Sequence, residues 1–122
     1  MKRCMIVDDS SVIRKVAKRI LSSPAIYVIE AGSGSEALAM CSADLPNVII
    51  VDATLPDMSG IDFIRQAMAL AAAAKPHIVL CVTEFDVGTI MRAKRAGAQG
   101  YMFKPFTRPQ LLEQFREIQI AA

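Results

Sequence analysis

Val48-Ile49-Ile50-Val51-Asp52 is an apolar run that ends at a single carboxylate, and it is the clearest indication of the fold in this sequence. Three further apolar runs stop at polar side chains in the same way, namely residues 4–7 before Asp8-Asp9, residues 78–82 before Thr83, and residues 101–103 before Lys104. Continuous runs rich in valine and isoleucine are typical of parallel strands that are buried on both faces. Because parallel strands end at a common edge of their sheet, we expect the polar residues to meet there.

Helical patterns separate the apolar runs, and a short strand at residues 27–30 completes five strand–helix pairs. The first helix is predicted to begin near the capping residues Ser10 and Ser11 and to bury one apolar stripe, formed by Val12, Ile13, Val16, Ala17, Ile20 and Leu21. The third helix is predicted to continue through the alanines to Lys75, and the fourth to span residues 87–96 and end at Gly97. Right-handed crossovers between such units predict an α/β, flavodoxin-like, doubly wound (βα)5 fold with a five-stranded parallel sheet in the order 2-1-3-4-5.

Length and composition indicate an ordinary globular domain. At 122 residues we expect a single domain over residues 1–122, with no separate output domain. The hydrophobic content of 53% argues against disorder. No apolar stretch approaches the roughly 18 to 20 residues of a membrane span, and the start lacks the apolar core of a signal peptide, so we expect a cytoplasmic location. Neither the three cysteines nor the single histidine has the spacing of a zinc site.

Three carboxylates, from Asp8, Asp9 and Asp52, are expected to converge at the ends of two neighbouring strands. Close carboxylates repel one another unless a cation neutralises them, and their hard oxygens suit Mg²⁺. Lys104 adds a fixed ammonium group and Thr83 a hydroxyl group, and both can hold phosphoryl oxygens. Because phosphoryl transfer needs mainly positioning and charge neutralisation, the pattern predicts a site for that reaction.

Asp52 is the candidate phosphoryl acceptor. This residue stands alone at the end of a central strand, whereas Asp8-Asp9 resemble paired metal ligands. Carboxylates form acyl phosphates as nucleophiles, but periodicity alone leaves the choice among the three carboxylates open.

Four segments together resemble the signatures of bacterial response-regulator receiver domains. The segments are Ile6-Val7-Asp8-Asp9-Ser10, Val51-Asp52-Ala53-Thr54-Leu55-Pro56-Asp57-Met58-Ser59-Gly60, Val82-Thr83-Glu84 and Lys104-Pro105-Phe106. The match runs along essentially the whole chain, and four signatures in order are far more specific than any one of them.

The resemblance implies that Asp52 takes a phosphoryl group from a histidine kinase or a histidine phosphotransfer protein. It also implies that Asp9, Asp52 and the backbone carbonyl group of Thr54 hold Mg²⁺, and that Asp8 acts mainly through metal-bound water. By the same resemblance, Thr83 and Lys104 would bind the phosphoryl oxygens, and the peptide bond after Lys104 would be cis.

The resemblance further implies a switch. Thr83 would move toward the phosphoryl group and Tyr101 would turn inward, which would repack the face formed by helix four, strand five and helix five. A purely structural role for Tyr101, as an aromatic residue that half covers helix four, is equally compatible with the sequence. Glu84 departs from the family pattern, which places a small residue there, so its carboxylate is expected to repel phosphate donors. Thr54 and Phe85 are expected to modulate the lifetime of the phosphorylated state.

The family resemblance also sets expectations about partners. With no DNA-binding domain in the sequence, the phosphorylated face is expected to meet another protein, with no DNA or membrane partner. Chemotaxis regulators are the familiar precedent, and phosphorelay shuttles are the second. We expect a monomer, with a phosphorylation-dependent dimer left open. The chain would assist its own phosphorylation and dephosphorylation without being a turnover enzyme.

Three other functions remain open at this point. The segment Gly32-Ser33-Gly34-Ser35-Glu36-Ala37 fits a relaxed dinucleotide-binding fingerprint, but it lies in the second strand–helix unit and leaves Lys104 without a role. A haloacid-dehalogenase-like phosphatase would also use a strand-end aspartate, but Thr54 stands where its second aspartate is expected. A phosphate-independent scaffold with the receiver fold is the third possibility, and Glu84 favours it.

Overall fold

Five parallel strands form one sheet in the order β2-β1-β3-β4-β5. The computed structural model describes residues 2–71 and 73–121. The strands are β1 (Lys2–Val7), β2 (Ile26–Ala31), β3 (Val48–Asp52), β4 (His77–Val82) and β5 (Gly100–Phe103). The helices are α1 (Ser11–Leu21), α2 (Gly34–Ala43), α3 (Gly60–Leu70), α4 (Val87–Ala96) and α5 (Arg108–Ala121). The predicted flavodoxin-like (βα)5 fold and strand order are therefore confirmed.

Helices cover both faces of the sheet, because successive strand side chains point to opposite faces. On one face, residues such as Val51 pack with Phe63 and the other buried side chains of α2, α3 and α4. On the other face, residues such as Ile50 pack with Leu111 and the buried side chains of α1 and α5. Each fully buried side chain of this size contributes roughly 1.5 to 3 kcal/mol. None of the helices within the described ranges has both the length and the apolar character of a membrane span.

The register of the strands places the polar residues at one edge. Val7 pairs with Val51, so Asp8 and Asp52 lie side by side at the ends of β1 and β3. Val82 pairs with Phe103, which places the residues that follow, 83 and 104, at the same level of the sheet. The strand ends thus form the common edge that the sequence predicts.

The predicted continuation of the third helix to Lys75 is wrong, because α3 ends at Leu70. Ala71 has extended backbone angles, and its N–H donates to the carbonyl oxygen of Met68 at 3.2 Å. Alanine side chains bury little apolar surface, and helices in proteins are stabilised mainly by packing. Pro76 also disfavours helical backbone at the residue before it. The chain therefore leaves the helix early and turns toward β4.

The predicted apolar stripe of the first helix is too wide. Ala17 and Leu21 are buried, but Val12 and Val16 are 68% and 45% exposed. At 3.6 residues per turn, these two valines form a row beside the buried stripe, not within it. Consequently α1 presents an apolar row to solvent.

Two glycines occupy positions that exclude a side chain. A Cβ atom at Gly60 would overlap the backbone carbonyl oxygen of Asp52, and the Gly60 N–H donates to the carbonyl oxygen of Ala53 at 2.8 Å. The loop of residues 53–59, the β3–α3 loop, can therefore fold back onto the end of β3. Gly97 caps α4 with φ of 128°, a backbone conformation that favours glycine, as predicted.

Candidate functional site

Three carboxylates converge at the ends of β1 and β3. Asp8 and Asp9 follow β1, and Asp52 is the last residue of β3. One oxygen atom of each carboxylate lies within 4.8 Å of the other two. Asp8 and Asp52 are only 3% and 8% exposed, whereas Asp9 is exposed to solvent. We call these three residues the acidic centre.

Lys104 reaches the acidic centre from the end of β5. Its Nζ atom lies 2.9 Å from Asp8 Oδ2 and 3.1 Å from Asp52 Oδ2. The backbone N–H of Lys104 donates to the carbonyl oxygen of Val82 at 2.8 Å, which extends the pairing of β4 and β5 by one residue. The peptide bond between Lys104 and Pro105 is cis. One ammonium group thus contacts both buried carboxylates.

The pKa values indicate that this ammonium group does not balance the negative charge. Burial raises the pKa of Asp52, Lys104 lowers it in part, and the charge of Asp8 raises it again, so the net direction is upward. Burial lowers the pKa of Lys104, but its hydrogen bonds to the two carboxylates outweigh burial, and its pKa is raised overall. Lys104 therefore stays charged, and the site still favours additional positive charge.

The acidic centre fits a divalent cation with a preference for oxygen ligands. Mg²⁺ in proteins takes one or two carboxylates and retains several waters, which other oxygen ligands can replace. Two buried carboxylates and an exposed one provide such ligands while leaving one side open to solvent. Among the side chains that the structure describes, no other group of three potential metal-binding residues comes this close together.

Thr54 lies in the β3–α3 loop directly beyond the candidate acceptor. The Thr54 N–H donates to Asp52 Oδ1 at 3.4 Å, and its side chain is exposed. The Leu55 N–H donates to the carbonyl oxygen of Met58 at 3.1 Å, which closes the turn. The loop therefore holds Thr54 beside Asp52, and metal binding by the Thr54 carbonyl group stays a prediction.

Asp57 attaches this loop to α2, a contact that the sequence did not reveal. Its Oδ1 and Oδ2 atoms accept hydrogen bonds from the backbone N–H groups of Gly34 and Ser35, each at 2.9 Å. These bonds, with that from Ser35 the stronger, lower the pKa of Asp57. A carboxylate therefore occupies the N-terminus of α2, where a dinucleotide fingerprint would bind a pyrophosphate group. This occupancy argues against the dinucleotide-binding alternative.

Thr83 and Glu84 line a small pocket at the same edge of the sheet. The pocket has a volume of about 160 Å³, and Thr54 and Asp86 also line it. The side chains of Thr83 and Glu84 are both exposed. Anything that approaches Thr83 through this pocket would therefore pass two carboxylates, from Glu84 and Asp86.

Tyr101 belongs to an aromatic cluster that links β5 to the loop of residues 83–86. Its ring centroid lies 6.4 Å from that of Phe85 and 5.9 Å from that of Phe103, and both contacts are edge-to-face. Tyr101 is partly buried, whereas Phe85 and Phe103 are 61% and 41% exposed. The ring thus connects the two segments that carry Thr83 and Lys104.

A second charge cluster lies on the other side of the β1–α1 turn. Glu30 of β2 accepts from Arg14 Nε at 3.2 Å and from Lys15 Nζ at 2.8 Å, and Lys18 Nζ lies 3.9 Å away. The hydrogen bond from Lys15, with a smaller contribution from Arg14, lowers the pKa of Glu30 despite burial. We call these four residues the Glu30 cluster. The sequence indicates the basic run on α1 but not its shared acidic partner.

Comparisons with known proteins agree with this geometry. The family model of the response regulator receiver domain matches residues 4–116. The chemotaxis protein CheY of Thermotoga maritima is 31% identical over 96% of this chain and 97% of its own length. CheY1 of Helicobacter pylori strain 26695 is 32% identical over 95% of this chain and 94% of its own length. The structure of chemotaxis protein CheY4 of Vibrio cholerae has a TM-score of 0.90 and 30% identity, and the match covers 97% of this chain and 98% of that one.

Proposed function

The chain belongs to the response regulator receiver family, and on this basis we propose that Asp52 accepts a phosphoryl group from a histidine kinase or a histidine phosphotransfer protein. Its general role is two-component signalling, and its similarity to chemotaxis regulators supports a function of that kind. The observation that carries the proposal is the ammonium group of Lys104, 3.1 Å from the buried carboxylate of Asp52 within a centre of surplus negative charge.

In the proposed reaction, a carboxylate oxygen of Asp52 attacks the phosphorus atom of the donor phosphohistidine. An O–P bond forms while the P–N bond breaks, and the imidazole leaves with the electron pair of that bond and takes up a proton. The product is an acyl phosphate on Asp52. Lys104 already lies at the site, so its charge can stabilise the transferred oxygens without rearrangement. Mg²⁺, bound by Asp9, Asp52 and the Thr54 carbonyl group with Asp8 acting through water, would supply further positive charge.

The exposed row on α1 is the proposed docking surface for the phosphate donor. Val12 and Val16 form a groove of about 270 Å³ with Ser11, Lys15 and Arg19, and α1 begins two residues after Asp9. A donor domain with an apolar and acidic surface would complement this groove. Such docking would bring the phosphohistidine to the open side of the acidic centre.

The proposed output surface is the face formed by α4, β5 and α5. A groove of about 470 Å³ lies along β5 and α5, lined by Tyr101, Phe103, Pro109 and Gln114 among others. We propose that Thr83 binds a phosphoryl oxygen and that the aromatic cluster around Tyr101 transmits this movement to the groove. A phosphoryl group biases such a two-state element only through contacts that differ between the states.

Incubation with Mg²⁺ and either acetyl phosphate or a phosphorylated kinase tests the proposed acceptor. Mass spectrometry is expected to find an acid-stable, base-labile adduct on Asp52. Asp52→Asn should lack the adduct, whereas Asp62→Asn, which changes an exposed acid on α3, should retain it. An adduct on another residue would refute the choice of Asp52, and no adduct with any donor would favour the phosphate-independent scaffold. Rapid turnover of an ordinary phosphate monoester, which is not a phosphoryl donor of this kind, would instead favour the phosphatase alternative.

Glu84 is proposed to hinder small anionic donors. Its carboxylate and that of Asp86 line the pocket beside Thr83, so both repel acetyl phosphate. Glu84→Ala is expected to raise the rate of phosphorylation by acetyl phosphate about threefold, roughly 0.7 kcal/mol in activation free energy. The increase should shrink at high salt, and Glu113→Ala on α5 is the control for loss of an exposed carboxylate. An unchanged rate would show that Glu84 does not restrict the donor.

A further inference from the structure

Arg14 connects the Glu30 cluster to the backbone of the acidic centre. Its Nη1 atom donates to the backbone carbonyl oxygen of Asp8 at 2.7 Å, while its Nε atom donates to Glu30 Oε1 at 3.2 Å. The Arg14 side chain is only 18% exposed and that of Glu30 only 15%. The planar guanidinium group can serve both acceptors at once because its donors are fixed in a fork.

The contact with Asp8 bears directly on Asp9. The carbonyl group of Asp8 and the N–H of Asp9 belong to one planar peptide unit. A hydrogen bond to the Asp8 carbonyl oxygen therefore also fixes the orientation of the peptide that leads into Asp9. The Asp8 carboxylate is itself held by Lys104 and by the Ser10 N–H, at 2.9 Å each. Asp9, in contrast, is exposed, and its backbone orientation depends on this turn.

We propose that Arg14 is a positioning residue for the metal site, holding the Asp8–Asp9 peptide so that the Asp9 carboxylate faces the other two carboxylates. This inference rests on the proposed function, because it requires that the acidic centre binds Mg²⁺. The hydrogen bonds of Arg14 go to Glu30 and to the Asp8 carbonyl oxygen, not to the carboxylates of the acidic centre, so Arg14 acts through the backbone. Glu30 supports Arg14 by orienting the guanidinium group.

The direction in which Mg²⁺ affinity changes when Arg14 is replaced distinguishes a positioning role from a purely electrostatic one. If Arg14 acted only through its charge, removing a cation near the acidic centre would strengthen Mg²⁺ binding. Positioning predicts the opposite, because a misoriented Asp9 is a poorer ligand. Lys15 is the matched control, since its ammonium group donates to the Glu30 carboxylate, whereas the hydrogen bond to the Asp8 carbonyl oxygen comes from Arg14.

Calorimetric titration of the full chain with Mg²⁺ alone provides the test. Arg14→Gln and Arg14→Lys are each expected to weaken Mg²⁺ binding about tenfold, since changes to groups that orient metal ligands typically have effects of this size. Arg14→Lys keeps the charge but cannot form the fork. Lys15→Gln should bind Mg²⁺ as tightly as the wild type or slightly more tightly. Unchanged or tighter binding by Arg14→Gln would overturn the inference.

Hydrogen exchange without metal separates this inference from the proposed function. The Ser10 N–H, bonded to Asp8 Oδ1, reports on the turn, and its exchange should be about tenfold faster in Arg14→Gln but unchanged in Lys15→Gln, with global stability measured in parallel. If the wild type binds no Mg²⁺, the proposed function fails. Unchanged Ser10 exchange in Arg14→Gln would refute the positioning role whether or not Mg²⁺ binds. At saturating Mg²⁺, the maximal phosphorylation rate of Arg14→Gln should return to the wild-type value, which a general loss of structure would not allow.

Discussion

The acidic centre and the Glu30 cluster lie on either side of the β1–α1 turn and have opposite charge imbalances. In the acidic centre, three carboxylates face the single ammonium group of Lys104. In the Glu30 cluster, one carboxylate faces three basic side chains. The pKa of Asp52 is raised, mainly by burial, while that of Glu30 is lowered, mainly by the hydrogen bond from Lys15.

This difference distinguishes a site that needs a ligand from one that is complete. The Glu30 carboxylate is fully satisfied, and its surplus cations, Lys15 and Lys18, extend into solvent where water stabilises them. In the acidic centre the surplus charge lies on the nearly buried carboxylates of Asp8 and Asp52, where water compensates it much less. An unbalanced charge on buried side chains therefore indicates a functional site more specifically than the number of charged residues does.

Removing the ammonium group of Lys104, which contacts the acidic centre, should have the largest effect. Lys104→Met keeps the approximate length of the side chain but leaves Asp8 and Asp52 without a positive partner. We expect the rate of Asp52 phosphorylation at saturating Mg²⁺ to fall about 100- to 1,000-fold, as for loss of other groups that stabilise transition-state charge. Quantified transfer from acetyl phosphate measures this rate. Lys75→Met, in the exposed segment before β4, is the control, and a loss below tenfold in Lys104→Met would mean that the charge of Lys104 is dispensable.

Adding a cation to the acidic centre should have the next largest effect. Saturating Mg²⁺ is expected to raise the free energy of unfolding by roughly 1 to 3 kcal/mol, because the metal binds the folded chain. Asp9→Asn should abolish this gain and, without metal, should leave the stability equal or slightly higher, since one like charge is removed. Urea denaturation with and without Mg²⁺ measures both quantities. Equal Mg²⁺ stabilisation in Asp9→Asn and in the control Asp62→Asn would show that the metal binds elsewhere.

The two clusters also differ in how far the sequence predicts them. Buried parallel strands are continuous apolar runs, so their ends, and with them Asp8, Asp52 and Lys104, can be located from the sequence. The Arg14–Glu30 contact depends instead on the rotation of α1 about its axis, which hydrophobic periodicity defines only to within a wide stripe. The same uncertainty in the rotation of α1 explains why the sequence wrongly predicts Val12 and Val16 to be buried.

Loop contacts were likewise beyond prediction. The hydrogen bonds that Asp57 accepts from the N-terminus of α2 join residues that are 22 and 23 positions apart, and no local sequence pattern specifies the path of the chain between them. The early end of α3 has a related cause, because the alanines after Leu70 have high helix propensity but small side chains that can bury little apolar surface. Both the contacts of Asp57 and the end of α3 depend on tertiary packing, which local sequence patterns do not specify.

Neutralising the carboxylate of the Glu30 cluster should have the smallest effect of the three changes. Glu30→Gln is expected to lower the free energy of unfolding at neutral pH by about 1 kcal/mol, because the partly buried ion pairs with Arg14 and Lys15 are lost. Asp44→Asn, which changes the exposed pair with Arg3, should cost less than about 0.5 kcal/mol. Urea denaturation without metal provides both values.

The pH dependence of that loss tests whether Glu30 stabilises the fold as a charged group. Its pKa is lowered from the ordinary value of 4.5, so its contribution is fully present above pH 4.5 and is lost as the pH falls through the lowered folded-state value. The difference in unfolding free energy between the wild type and Glu30→Gln should therefore be constant from pH 6 to 8, by this linkage, and should vanish in acid. A difference that persisted in acid would mean that Glu30 stabilises the fold through packing and not through its charge. The proposed contrast between the Glu30 cluster, whose carboxylate is neutralised by its basic partners, and the acidic centre, whose negative charge is not, would then not hold.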